Sequence, residues 1–307
     1  MTKGFPMPGE AGILAFLEKS NAFYPADAVD ASIEQQREWY NALCAQFAPS
    51  LPDGMLTDDS LADGRVPVRR YRPARIKTNA HLLYIHGGGF VVGSLESHHA
   101  ICAEIADAVG AELTAVDYRL APEHVWPAQT DDAYTVLTTL LDQGHDVVVI
   151  GDSAGGNLAA GLCVRAARSG QAGRLRGQVL IYPALGGDLE AGSYVEMAQA
   201  PGLTTADVKY YREVLQAPAD EAVAHPLLLE DLSDLPPAFI TVAHFDPLRD
   251  DGRQYAARLA QAGIEVWFRE EPQMVHAWLR ARHMSDGART GFEALCRAVS
   301  HFSGATA

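Results

Sequence analysis

Near the middle of the chain the apolar run "DVVVI" breaks into Gly151-Asp152-Ser153-Ala154-Gly155 and continues as the helical pattern "AGGNLAAGLCVRAAR". A strand, a turn tight enough to demand glycine and then a helix form the setting in which the serine of a G-x-S-x-G run is a nucleophile. Such a turn holds Ser153 in a strained conformation with its hydroxyl clear of the sheet. Gly151 and Gly155 are small because neighbouring chain must pass close by. The helix aims its first N–H groups at whatever Ser153 attacks. Five loosely specified residues are a weak pattern by themselves, and a small-residue turn kept only for packing would look the same. A serine hydroxyl also needs a base, so the reading depends on partners arriving later in the order acid, then histidine, at the ends of later strands.

Both arrive. The strand "AFITVAHF" ends directly at Asp246, and Pro247 suits the first turn of a following helix. Asp250 and Asp251 are rivals by composition, but they fall inside that helix and are expected to be solvated. An N-cap role for Asp246 is the plain alternative. Of eleven histidines, His276, His283 and His301 follow Asp246. His301 lies in the terminal helix, and His283 in "LRARHMS", a basic stretch expected to be exposed. His276 follows the strand "IEVWFRE" through "EPQMVHAW", on a loop at the correct end of the sheet. A neutral His276 accepting the serine proton predicts activity that falls below about pH 6–7.

A third feature is "LLYIHGGGFVVGS", a buried strand leaving through His86 and three glycines. Each of these glycines costs backbone entropy on folding. Together they let the main chain approach a ligand and point its amides at it. Backbone N–H groups are the usual stabilisers of the negative oxygen of a tetrahedral intermediate, and Ala154, next after Ser153, supplies another. Spacing alone does not say which two of the three glycines donate. Neither glycine-rich stretch matches G-x-G-x-x-G with an acidic residue at the next strand end, and there is no Walker A run. His98 and His99 are adjacent, His124 stands alone, and no H-E-x-x-H spacing occurs. The expectation is no cofactor and no metal.

The elements that must position these residues are an alternation of strands and helices. Candidate strands are "VPVRRY", "HLLYIH", "ELTAVDY", "DVVVIGD", "QVLIYP", "AFITVAHF" and "IEVWFRE". "VVVI" and "VLIY" have no polar alternation, as in a parallel sheet covered on both faces. Helical patterns cover 97–109, 131–141, 154–168, 247–261 and 285–302. The succession predicts an α/β fold with right-handed crossovers. Two segments break the rhythm. Ile33, Trp39, Tyr40, Leu43 and Phe47 recur at helical spacing before Pro49, and Val208, Tyr211 and Leu215 do so after "LIYPAL". They read as helices laid over the sheet or as ordinary peripheral helices.

The 307 residues, 48% hydrophobic and 21% charged, suit one large domain or two modest ones. A formal charge of −15 repels phosphate backbones and argues against nucleic acid as a partner. Cys44, Cys102, Cys163 and Cys296 lack C-x-x-C spacing and are expected as reduced thiols. The opening "MTKGFPMPGEAGILAFLEKS" does not read as a signal peptide. No segment approaches the ~18 apolar residues of a membrane span. A cytoplasmic protein is the expectation.

With "HGGG" at 86–89, "DYRLAPEH" at 117–124, "GDSAGGN" at 151–157, "DPLRD" at 246–250 and His276, the sequence resembles the bacterial hormone-sensitive lipase family of α/β-hydrolases. The motifs stand in the family's order and span most of the chain. The resemblance implies a mostly parallel, eight-stranded sheet with a helical cap. The cap would be built from 1–48 and 186–225, over a catalytic domain of 49–185 and 226–307. It places the triad on Ser153, Asp246 and His276, and the oxyanion donors on Gly88, Gly89 and Ala154. It implies a serine carboxylesterase acting on short- to medium-chain acyl esters of small alcohols. The same residues would serve for amides, lactones or carbamates, and a relative that kept the fold only to bind a ligand is the alternative from another class. The partner is then a small-molecule ester. A homodimer is expected from the resemblance alone. Arg119 and Glu123 are expected to brace loops near the site. Two departures stand out. Ala277-Trp278 follows the histidine where the family often has glycine and an aromatic, and "HVWP" at 124–127 replaces a run that usually contains phenylalanine. Trp126 and Trp278 are therefore expected to bear on pocket shape.

Overall fold

The computed structural model describes residues 7–25 and 28–305. In chain order its elements are α1 (Ala11–Asn21), α2 (Ile33–Ala45), β1 (Leu56–Ala62), β2 (Val66–Arg72), β3 (His81–Ile85), α3 (His99–Val109), β4 (Leu113–Val116), α4 (Ala128–Asp142) and β5 (Val147–Asp152). Then follow α5 (Ala154–Arg168), β6 (Leu175–Ile181), α6 (Ser193–Glu196), α7 (Thr205–Leu215), β7 (Ala238–Phe245), α8 (Arg249–Gln261), β8 (Val266–Val275) and α9 (Asp286–Ser303). The strands form one sheet in the order β1-β2-β4-β3-β5-β6-β7-β8. Only the β1–β2 and β2–β4 pairings are antiparallel. The α/β architecture expected from the alternating runs is the one observed.

Seven of the eight strands coincide with the candidate strands of the sequence. β1, "LTDDSLA", does not: every residue but Ala62 is exposed. It is an edge strand held by pairing with β2, where Asp59 stands opposite Arg69 and binds its guanidinium at 2.7 and 2.9 Å. A strand with no buried face leaves no hydrophobic signature.

The inner strands are covered on both faces. Leu82 and Tyr84 of β3 and Val148 and Ile150 of β5 pack with Ile101 and Ile105 of α3 and Leu295 and Val299 of α9. The alternate residues, Leu83, Ile85, Val147 and Val149, pack with Val136 and Leu137 of α4, Leu158 and Leu162 of α5, and Tyr255 and Leu259 of α8. Each such side chain contributes roughly 1.5–3 kcal/mol when fully buried. All four cysteines are buried and unpaired. No helix among the described residues is long and apolar enough to cross a membrane.

β3, β5, β6, β7 and β8 run parallel, so their C-terminal ends share one edge. Above that edge lie α2 and α7. Tyr40 and Cys44 of α2 pack with Val91, Val92 and Ala121, joined by Tyr211 and Val214 of α7. α7 starts at a reciprocal cap, in which the Thr204 side chain accepts from the Asp207 amide and the Asp207 carboxylate accepts from the Thr204 amide. Arg37 on α2 donates to the carbonyls of Val91 and Ala121 at 2.9 and 3.1 Å and to both carboxylate oxygens of Glu123 at 2.9 and 2.7 Å. Arg119 pairs with Asp132 of α4 at 2.8 Å. These are the partners of Glu123 and Arg119, the two residues of "YRLAPEH" expected to brace loops.

Candidate active site

Ser153 joins β5 to α5 with φ 56° and ψ −118°. A non-glycine residue in such a conformation costs of order 1–3 kcal/mol and persists only where its surroundings enforce it. Here they do. The Ser153 amide donates to the Ile181 carbonyl of β6 at 2.9 Å. A Cβ on Gly151 would lie 2.1 Å from the Gly155 carbonyl oxygen, and one on Gly155 would lie 2.0 Å from that of Ile85 in β3. The two glycines let the turn sit against the neighbouring strand.

Asp246 directly follows β7 and is fully buried. Its Oδ1 accepts from the Leu248 amide at 2.9 Å, and its Oδ2 lies 2.7 Å from His276 Nδ1. His276 directly follows β8, and its Nε2 lies 2.9 Å from Ser153 Oγ. The carboxylate can only accept, so Nδ1 carries the ring hydrogen and Nε2 presents its lone pair to the serine. Serine, acid and histidine, far apart in sequence, form one line of hydrogen bonds. The next residue, Ala277, has φ 62°. A glycine would take this left-handed position without strain, and alanine carries it here.

The three glycines divide their work. The Gly87 amide donates to Asp152 Oδ1 at 3.0 Å. A Cβ on Gly87 would fall 2.6 Å from Asp152 Oδ2. Gly88 and Gly89, with φ 124° and 59°, line a cavity together with Ser153, Ala154 and His276. Among the described residues no protein acceptor meets the amides of Gly88, Gly89 or Ala154. Gly88 gives its carbonyl to the amides of Val91 and Val92 at 3.1 and 3.0 Å, which turns the loop.

Asp152, the residue before Ser153 in the G-x-S-x-G run, anchors this loop from below. Its carboxylate also accepts from Tyr84 Oη at 2.9 Å and lies 3.3 Å from His98 Nε2. Burial opposes its charge, but His98, Arg280 and Tyr84 together hold its carboxyl well below the usual carboxylate range. His86, buried and stacked on Tyr118 at 4.3 Å, places Nδ1 2.8 Å from the Gly87 carbonyl. Burial, with His98 beside it, pushes its imidazole down to about 4. Nothing in the motif spacing pointed to this network of Tyr84, His86, His98 and Tyr118.

The cavity holds about 140 Å³. Its remaining wall is largely apolar, from Tyr24, Tyr40, Leu43, Leu203, Tyr211 and Leu215 among others. Several expectations need correction. Asp251 is fully buried rather than solvated, because its Oδ2 accepts from the amides of Leu185 and Gly187 and from Tyr194 Oη. Asp250 is also held, by Arg249, Arg253 and the Ser193 amide. In "LRARHMS" His283 is exposed, but Arg280 and Arg282 are buried. Trp278 is 0% exposed in the main core, Trp126 packs beside the other sheet face, and neither lines the cavity. The tryptophans therefore do not shape the pocket directly.

Known proteins place the chain. A family model described as the alpha/beta hydrolase fold matches residues 82–280. The carboxylic ester hydrolase LipN of Mycobacterium tuberculosis is 34% identical over 298 residues, which cover 90% of this chain and 78% of that protein. The ethyl acetate hydrolase of Pseudomonas putida is 34% identical over 292 residues, covering 90% of this chain and 91% of that one. Among solved structures, the thermostable carboxylesterase EstE1, cloned from a metagenomic library, superposes with a TM-score of 0.83 at 32% identity, over 90% of this chain and 99% of that one. The chain belongs to the α/β-hydrolase fold family, in its hormone-sensitive-lipase-like group of carboxylic ester hydrolases.

Proposed function

We propose that the protein is a serine carboxylesterase of short- to medium-chain acyl esters, with Ser153 as nucleophile, His276 as base and Asp246 as its orienting acid. One observation carries this reading: the unbroken line from Asp246 Oδ2 through His276 to Ser153 Oγ, at 2.7 and 2.9 Å. Ser153 Oγ attacks the ester carbonyl as its proton passes to His276 Nε2. The amides of Gly88, Gly89 and Ala154 receive the oxyanion, and Asp246 offsets the charge of the imidazolium. Collapse breaks the C–O bond, and His276 returns the proton to the leaving alcohol. Water then attacks the acyl-enzyme, His276 takes its proton, and Ser153 leaves as a hydroxyl.

The segments 1–48 and 186–225 act as a cap that sizes the pocket, over a catalytic domain of 49–185 and 226–307. Residues 1–6 and 26–27 of the first segment lie outside the described residues. Tyr24, Tyr40 and Leu43 from one segment and Leu203, Tyr211 and Leu215 from the other line the cavity above Ser153. The buried, unpaired thiols support a reducing compartment such as the cytoplasm. A homodimer is consistent with β8, which ends the sheet and shows partly exposed Trp267 and Phe268. Light scattering in solution tests it.

Hydrolysis of p-nitrophenyl esters from acetate to laurate, by wild type and by Ser153→Ala, tests the central reading. Rapid turnover of the shorter esters that disappears in the variant supports it. Equal turnover by the variant would place the nucleophile elsewhere.

A further inference from the structure

One side chain of the cavity wall has no place in that chemistry. Arg280 lies just beyond His276, is only 9% exposed, and lines the same cavity as Ser153. A guanidinium is permanently charged and carries five N–H donors. Of the Arg280 nitrogens, Nη2 donates to the Tyr40 hydroxyl, and the group lies over the Tyr40 ring with its carbon 4.8 Å from the centroid. Nε is buried without a partner. Among the described residues no carboxylate comes within 4.0 Å of Arg280. Buried arginines elsewhere in the fold are paired: Arg282 with Glu104, and Arg249 with Glu196 and Asp250. Cys44, Tyr40, Tyr182 and Asp152 act on Arg280 through space; Asp152 is the one carboxylate among them, and its oxygens already serve Tyr84, Gly87 and His98. A buried cation left without an ion-pair partner is costly, and this one borders the space a substrate must fill.

We propose that Arg280 receives a carboxylate carried by the substrate, so that the preferred esters are half-esters of short dicarboxylic acids. The inference rests on the esterase reading. We place the carboxylate on the acyl part, which stays on Ser153 after the alcohol has left. A cavity of about 140 Å³ allows only a short spacer between the two groups. The Tyr40 hydroxyl accepts from Arg280 and keeps its own hydrogen for the same carboxylate. A net charge of −15 repels anions in general. A preference for an anionic ester therefore has to come from a local cation.

The test compares kcat/KM, by pH-stat titration, for methyl valerate and monomethyl glutarate, in which a terminal carboxylate replaces a methyl group. Monomethyl succinate and monomethyl adipate bracket the length. Wild type is expected to favour the best half-ester at least tenfold over its neutral match. That ratio collapses in Arg280→Met and returns in part in Arg280→Lys. A wild type that favours the neutral ester, or an Arg280→Met variant that slows both by one factor, overturns the proposal. A second measurement needs no variant. Glutarate should inhibit p-nitrophenyl acetate hydrolysis at a concentration at least tenfold below that of valerate, and equal inhibition overturns the proposal. Hydrolysis of neutral esters without an anion preference removes this inference alone. No hydrolysis of any ester, p-nitrophenyl acetate included, removes the esterase reading with it.

Discussion

The sheet side and the helix side of the cavity are held by different means. On the sheet side, Ser153, Gly88, Gly89, Ala154 and His276 take their positions from backbone at the ends of β3, β5 and β8. Ser153, Gly88 and Gly89 have positive φ, and the glycines of the Ser153 turn face main-chain carbonyls at about 2 Å from where a Cβ would stand. On the helix side, Tyr40 and Leu43 of α2 and Val208, Tyr211 and Leu215 of α7 form the wall through side chains that mostly touch other side chains. The first wall has almost no slack. The second can change one residue at a time without moving a strand. Reaction chemistry and substrate choice are thus separable in this fold, and substitutions confined to one wall test that separation.

The largest effect is expected from Asp246→Asn. The amide oxygen still accepts from the Leu248 amide, but nothing then fixes His276 in the tautomer that offers Nε2 to Ser153. Loss of this orientation lowers kcat by about 10⁴-fold. A loss below tenfold, with circular dichroism unchanged, would mean that His276 is oriented by something else. Gly88→Ala comes next. Its Cβ would meet the Val92 carbonyl oxygen at 2.2 Å from a backbone with φ 124°, so the loop must shift and the Gly88 amide with it. Losing one oxyanion donor costs roughly 10²–10³-fold in kcat. If KM alone changes, Gly88 does not face the reacting oxygen.

How much of each wall the sequence reveals follows from the same contrast. Gly151–Gly155, Asp246 and His276 are legible because a strand ends at or just before each, and because backbone-dictated chemistry demands particular residue types. The helix wall shows only a periodicity at Tyr40, Leu43, Val208 and Tyr211, which does not say what it covers. Charged residues mislead most. Asp251, Arg280 and Arg282 read as solvated, yet they are buried against the Leu185 and Gly187 amides, Tyr40 and Glu104, all remote in sequence. β1 is invisible for the opposite reason, since it buries almost nothing.

Two buried aspartates carry the contrast into pH dependence. Asp152 under the sheet wall is kept ionised by His98, Arg280 and Tyr84. Asp251, beneath the segment leading to α6, is pushed up to about 6 by burial, which outweighs the Leu185 and Gly187 amides, Arg212 and Tyr194. In the unfolded chain its carboxyl titrates near 3.9. Between these values the folded state holds a proton that the unfolded state has lost. Asp251 therefore makes stability fall as pH rises from about 4 to about 6, by about 3 kcal/mol in all. Asp251→Asn cannot ionise. Its amide oxygen keeps the three donors of Oδ2, and its NH₂ takes the place of Oδ1, which has no partner. Urea unfolding from pH 4 to pH 8 should show the variant gaining on wild type across that window. Parallel curves for the two proteins would sink the assignment.

The smallest effect tests the helix wall itself. Each methylene buried in an apolar pocket contributes about 0.8 kcal/mol, or roughly fourfold in kcat/KM, until the space is full. With a cavity of about 140 Å³, the rise along straight-chain p-nitrophenyl esters should break early in the series. Tyr211 lies with its ring against Gly89, where a Cβ would come 2.4 Å from the ring, and it reaches the cavity from α7. Tyr211→Ala removes that ring without touching Ser153, His276 or the backbone beneath them. The break should move to longer acyl chains by one or more methylenes, while p-nitrophenyl acetate, which is too short to reach the vacated space, loses little. A break at an unchanged chain length would show that the acyl group runs along another part of the wall. An acetate rate that falls with the rest would show that Tyr211 holds the Gly89 loop in place, and that the two walls are not separable after all.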